Sequence, residues 1–238
     1  MIQNYYKKGF TIVELMLAMT FVSFLAISIA VTTIQMSNLT VKGNTLSELN
    51  KANRALNDDF KRSFNSIGNM TGWTNNTPAG APGDDVYYLK NGNGGAFCTG
   101  KFSYLWNNGS HISSLPTGST VSVRYDGADA KDTTIRLIRV NDKTRAYCQS
   151  TSSWLTIPRN SDTIEVLSAG DTDMMLFNIS FAKGKSNAAS NQSIVKIDYI
   201  LGTKQDDGRA APANCLGSTD NSRCAAGDFT TIVRTLGQ

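Results

Sequence analysis

Apolar and polar positions fall into three successive patterns along the chain. From Leu15 to Val41 no residue is charged, and Leu15–Ile34 is apolar apart from scattered Ser and Thr. As a helix, these roughly 20 residues cover about 30 Å, the thickness of a bilayer's hydrocarbon core. From Leu46 the pattern becomes helical-periodic. Leu46, Leu49, Ala52, Leu56, Phe60, Phe64 and Ile67 share one face, with Glu48, Lys51, Arg54, Asp58, Lys61 and Arg62 opposite. Such an amphipathic stretch packs its apolar side on something, most simply a sheet of its own domain. No proline occurs before Pro78, so one helix is expected from Phe10 to about Ile67, roughly 87 Å long. Gly43 is its expected weak point, where an exposed stalk meets the packed half.

The third pattern begins near Met70. Turn residues dominate to Gly95, with Pro78, Pro82 and many Gly and Asn. Beyond that, alternation predicts strands. Val121, Val123 and Tyr125 share a face, as do Met175, Phe177, Ile179 and Phe181, and again Val195, Ile197, Tyr199 and Leu201. Thr133–Val140, Arg145–Gln149, Thr163–Leu167 and Thr230–Leu236 are further candidates. Met174–Ala182 and Ser193–Leu201 read as a hairpin. The expected fold class is α+β: a long N-terminal helix laid on a mostly antiparallel sheet.

Charge at the edge of the apolar run changes the picture. Lys7 and Lys8 precede Gly9 and the run, and Glu14 lies just inside it. Short basic flanks stay on the cytoplasmic side, which places the rest of the chain outside. An acidic residue at mid-membrane costs about 3 kcal/mol on insertion scales. Glu14 sits nearer the edge, yet it still calls for a partner. A conventional cleaved signal peptide fits poorly, because the apolar run is long and lacks a small-residue cleavage site at its end.

The segment Gly9-Phe10-Thr11-Ile12-Val13-Glu14 resembles the processing site of type IV pilins and of the type II secretion pseudopilins. The resemblance covers about the first quarter of the chain. It implies cleavage after Gly9 by a prepilin peptidase, N-methylation of Phe10, and a filament-assembly role for Glu14. Gly9 itself disfavours helix and leaves an accessible extended peptide bond beside the basic leader. In a membrane-embedded filament, the Glu14 carboxylate is expected to pair with a neighbour's N-terminal ammonium, which also sets axial register. Many major pilins carry a helix-breaking proline in the apolar half. This chain has none there, as is more typical of minor pilins, and Asn53–Arg62 resembles the helix end of the larger minor pilins and pseudopilins.

The expected organisation is a leader at 1–9, a membrane or filament-core helix at 10–41, an amphipathic continuation at 42–68 and an extracytoplasmic β-rich domain at 69–238. Formal net charge is +4, and Lys7 and Lys8 supply two of those charges. A nearly neutral processed chain gives no global electrostatic case for nucleic acid. Charged residues make up 18%, a weakly charged composition suited to an exported domain. Cys98, Cys148, Cys215 and Cys224 all follow the span, and an even number outside the cytoplasm reads as disulfides. Three pairings are open. Cys98–Cys148 with Cys215–Cys224 is favoured, because the second pair closes a short polar loop, a stabilisation of roughly 2–3 kcal/mol.

No metal or cofactor is expected. There is no CxxC, and the one histidine, His111, lies in a Gly/Ser/Pro-rich loop. A Ser-His-Asp site is unsupported for the same reason, and no enzymatic role is expected. Asp84-Asp85, Asp206-Asp207 and Asp126-Gly127-Ala128-Asp129 lack calcium-loop spacing and read as turns. Gly92-Asn93-Gly94-Gly95 is not followed by the Lys-Ser/Thr of a phosphate loop. At least two of Trp73, Trp106 and Trp154 are expected in the core rather than stacking ligands. Lys204, Arg209 and Arg223 are interspersed with Asp206, Asp207 and Asp220, which weakens a DNA contact there.

The resemblance implies a minor type IV pilin, stored in the cytoplasmic membrane with its domain outside, then extracted into a cell-surface pilus that serves adhesion, motility or DNA uptake. Expected partners are other pilins, the prepilin peptidase, and an assembly platform with its ATPase. The domain's size favours a priming or tip position. The rival within the family is a type II secretion pseudopilin; the rival of another class is a pilus-borne adhesin or DNA-binding module.

Overall fold

The computed structural model describes residues 9–68, 70, 72–75, 86–109, 121–132, 134–167, 174–187, 192–203 and 224–236. Helix α1 spans Ile12–Asn65, 54 residues without a break, or about 81 Å. It starts two residues later and stops two earlier than the periodicity predicts. Gly43 stands in open space inside the helix and interrupts nothing. Helix propagation is cooperative, so one glycine among good helix formers weakens it without ending it.

The second half of α1 docks as its pattern requires. Val41 and Thr45 are half-buried, and Leu49, Leu56, Phe60 and Phe64 are buried. Ala52 is partly buried against the same core, whereas Leu46 remains 42% exposed. Phe60 sits at the centre of the core, edge-on to Tyr104 at 5.2 Å, Tyr199 at 5.8 Å and Phe181 at 6.4 Å. Polar residues flanking the apolar stripe reach across to the sheets. Asp59 receives Arg139 at 3.0 Å and the Tyr104 hydroxyl at 2.6 Å. Burial and the Asp59 carboxylate together push the Tyr104 hydroxyl well above its ordinary pKa. Asn53 accepts from Tyr199 at 2.6 Å, Asn57 from Thr231, and Ser63 from Arg139.

Two sheets form where one was expected. The larger holds β1 (Trp73–Asn75), β2 (Val86–Lys90), β3 (Gly94–Cys98), β4 (Phe102–Asn107), β5 (Leu137–Asn141) and β6 (Thr163–Leu167), in that spatial order. Only the β1–β2 pair is parallel. The smaller sheet is an antiparallel meander of β7 (Met174–Asn187), β8 (Gln192–Thr203) and β9 (Ala226–Arg234). The inner face of the large sheet, including Tyr88, Phe97, Tyr104 and Trp106, joins α1 and the small sheet in one core. Its outer face, with Tyr87, Ala96, Leu105 and Ile138, is covered by Val123, Tyr125, Ile135, Trp154 and Ile157.

Several sequence expectations are corrected. Val86–Lys90, Gly94–Cys98 and Phe102–Asn107 are strands within or beside the stretch read as turns. All six residues of β4 are buried, so no alternation marks it. Val121–Tyr125 is buried but is not a strand. Asn107 holds it instead, accepting from Ser122 N and Val123 N and donating to the Val123 carbonyl. Arg145–Gln149 contains a short helix, α2 (Ala146–Gln149), rather than a strand. The buried Asp142 carboxylate accepts from Ala146 N at 3.0 Å and fixes that turn. A bulge at Phe177 shifts the phase of β7. Met174, Leu176, Ile179 and Phe181 face the main core, while Met175 and Phe177 join Val121. The last strand is Ala226–Arg234, not Thr230–Leu236, and the one predicted over Thr133–Val140 begins at Leu137. β6 and the β7–β8 hairpin lie where alternation puts them.

Cys98 and Cys148 are bonded, with Cα atoms 6.2 Å apart, tying α2 to the outer face of the large sheet. Cys224 is also in a disulfide; Cys215 lies outside the described residues. Trp106 and Trp154 are fully buried and Trp73 is half-buried. Gly95 lies under Trp106, where a Cβ would come within 2.3 Å of the indole. Gly94 is confined in the same way, by the Trp106 carbonyl oxygen at 2.1 Å from its would-be Cβ, so packing against β4 requires glycine at both positions. Gly127 makes the turn at Asp126–Asp129 with φ +72°. His111, Asp84-Asp85, Asp206-Asp207, Lys204, Arg209, Arg223 and Asp220 lie outside the described residues.

Candidate functional site at the helix N-terminus

Gly9, Phe10 and Thr11 precede the helix. Phe10 is 81% exposed, and Thr11 is extended at φ −76°, ψ 150°. The Gly9–Phe10 bond therefore lies outside the helical hydrogen-bond ladder. Lys7 and Lys8 lie outside the described residues.

Helix α1 then opens on a reciprocal cap. The Thr11 hydroxyl accepts from Glu14 N at 3.3 Å, and Glu14 Oε2 accepts from Thr11 N at 3.0 Å and from Thr11 Oγ1 at 2.9 Å. This is a capping box, which satisfies helix-end N–H groups and places a negative charge at the positive end of the macrodipole. Glu14 is thus not a bare carboxylate at the edge of the apolar run; its own chain supplies a first set of partners. Reading Glu14 only as a membrane charge misses this. The signal was present in the sequence, as Thr-x-x-Glu ahead of an apolar run. Both bonds from Thr11 end on Oε2, and Oε1 keeps its acceptor capacity.

The span that follows is exposed at every position from Gly9 to Thr40. Large side chains such as Phe21, Phe24, Ile27 and Met36 are 61–73% exposed. Soluble monomers rarely present so long a contiguous apolar surface, which marks a membrane or protein contact. Most hydroxyls within it are satisfied locally. Ser23, Ser28, Thr33 and Thr40 donate to carbonyls four residues back at 2.8–3.0 Å, and Thr20 to the Leu17 carbonyl at 2.9 Å. No polar atom of these side chains needs water, as a lipid environment demands. Among the described residues, one helix, at the N-terminal end, is long and apolar enough to cross a membrane.

The structure brings Gly9, Phe10 and Glu14 to one helix end. The bonded Cys98 and Cys148 lie in the distal domain and belong to its scaffold. Among the described residues no group of three or more His, Cys, Asp or Glu gathers around a possible metal position. No protein-family model, curated protein or solved structure matches the chain.

Proposed function

We propose that this chain is a pilin-like structural subunit, a minor type IV pilin, cleaved after Gly9, methylated at Phe10 and assembled through α1. The observation that supports this best is the continuity of α1. A wholly exposed, charge-free half leads directly into a half whose apolar face is buried in the folded domain. Such a helix transfers from lipid to a bundle of like helices without unfolding the domain it carries. The absence of a breaker in its apolar half keeps the two halves mechanically continuous.

Cleavage leaves an ammonium on Phe10, one residue before the Thr11 cap. Within one subunit, Thr11 holds the Glu14 carboxylate in a defined position. The group a neighbour's ammonium meets is therefore preorganised, and little side-chain entropy is lost on pairing. Away from water the pair is favoured over two separated charges. The partners of this reading are a prepilin peptidase, an assembly platform with its ATPase, and other pilins. The domain, large beside the helix, suits a priming or tip position.

The test uses sheared filaments and membranes from cells expressing the chain. Mass spectrometry should find a mature N-terminus at methylated Phe10. Glu14→Val should leave export and cleavage intact while lowering its share in filaments at least tenfold. A protein that still starts at Met1, or undiminished incorporation of Glu14→Val, would overturn the reading.

A further inference from the structure

We propose that Lys42 binds lipid phosphates of the outer leaflet and thereby fixes the depth at which Glu14 is held near the opposite face of the bilayer. This rests on the reading that α1 crosses a membrane with the folded domain outside. Glu14 and Lys42 bracket the charge-free run, with no charged residue between them. On one unbroken helix they stand roughly 42 Å apart. That span matches a bilayer measured across both headgroup layers, about 40–45 Å.

The character of the run changes before Lys42 is reached. Ile12–Ile34 is rich in large apolar side chains and covers about 33 Å, close to the thickness of the hydrocarbon core. Beyond it, Gln35, Ser37, Asn38 and Thr40 are interspersed with Met36, Leu39 and Val41. Such an uncharged mixture suits the headgroup zone, where apolar and polar groups meet. Lys42 follows about 12 Å past Ile34. Side chains on a helix tilt toward its N-terminus, so the lysine stem leans back toward the bilayer and carries its ammonium to the phosphates.

The domain leaves Lys42 to such a partner. Lys42, Gly43 and Asn44 are exposed, and a Cβ on Gly43 would meet nothing within 4 Å. Lys42 lies two turns before Leu49 and so shares the docked face of the helix. Yet Leu49 is the first buried residue of α1, about 10 Å farther on. Lys42 therefore emerges in the angle between the underside of the domain and the bilayer. Its helical neighbours three and four positions away, Asn38, Leu39, Thr45 and Leu46, carry no charge. The ion pairs among the described residues, Arg139–Asp59 and Lys196–Asp198, do not involve it.

A lysine ammonium is a compact, strongly hydrated point charge on a flexible stem, and anionic headgroups attract it at a membrane surface. Because the helix between the two residues has no breaker, holding one end at a set height holds the other. Sinking of α1 toward the cytoplasmic side would drag Lys42 into hydrocarbon, and rising would drag Glu14 there; both are costly. Lys42 is thus a positioning residue for the carboxylate on which assembly depends.

The test places the full chain carrying Ile34→Trp in vesicles of phosphatidylglycerol and phosphatidylcholine. Lipids brominated at different acyl positions then read the depth of that tryptophan by quenching. Ile34 is exposed, and the native tryptophans pack in the domain, so the reporter stands alone in the bilayer. Adding Lys42→Glu should move it outward by about 3 Å, as phosphates repel the new carboxylate against the small cost of mismatch. Lys42→Arg, and Lys51→Glu as a control farther along α1, should leave the depth within error. In vesicles of a phosphate-free galactolipid, Lys42→Glu should have no effect. A depth that Lys42→Glu does not change in phospholipid overturns this proposal alone, as does an equal shift in galactolipid. A reporter that no brominated lipid quenches means that α1 does not insert, and it overturns the membrane reading as well.

Discussion

The two halves of α1 are one helix with opposite surroundings. In the first half Phe21 and Phe24 are 61% and 70% exposed; in the second Phe60 and Phe64 are 0% exposed. The backbone is continuous, so the difference is carried wholly by side-chain pattern. The first half is apolar all round, the mark of a segment meant for lipid or for many neighbours. The second half is apolar on one stripe, with Asn53, Asn57, Asp59 and Ser63 bordering it to hold the sheets. Helical order alone therefore says little about what a helix does. The width of its apolar surface does.

The strongest test of this contrast is a matched pair of truncations. Phe60→Ala should destabilise the domain by about 3–5 kcal/mol, since it empties the centre of an aromatic cluster. Phe24→Ala should leave the domain's guanidinium midpoint within error of wild type. Equal effects would mean that the apolar half packs on its own domain.

Next in size, replacing Cys98 and Cys148 with Ser should lower domain stability by up to about 4 kcal/mol, the chain-entropy value for a loop of roughly 50 residues. Incorporation of a surviving folded fraction into membranes should be unaffected, because the disulfide lies far from the apolar half. Urea unfolding and membrane fractionation read the two effects separately.

Smallest is Thr11→Ala, which removes one arm of the capping box at a cost of about 1 kcal/mol to the first turn. Amide exchange should speed up at Ile12–Leu15 and stay unchanged from Leu49 onward. A change in the docked half would mean that the cap influences packing some 50 Å away along the helix.

Much of this architecture is legible in local pattern. The exposed span, the docked stripe, β6 and the β7–β8 hairpin follow from periods of 3.6 and 2 read over their own residues. The Thr11–Glu14 cap was equally local, visible as a motif once Glu14 is weighed as a helix-end residue as well as a charge. β2, β3 and β4 were not legible, because a strand covered on both faces has no reason to alternate. Phe102-Ser103-Tyr104-Leu105-Trp106-Asn107 reads as irregular until α1 covers one side and Trp154 and Ile157 the other.

Composition and order along the chain were enough to dictate that one long helix would be half bare and half docked, since that depends only on which residues recur every three or four positions. The division into two sheets, the phase of β7 and the turn of Arg145 were decided by contacts between distant residues. A bulge at Phe177 reassigns every side chain before it, and the Asp142 carboxylate converts an expected strand into a helix by capturing backbone N–H groups.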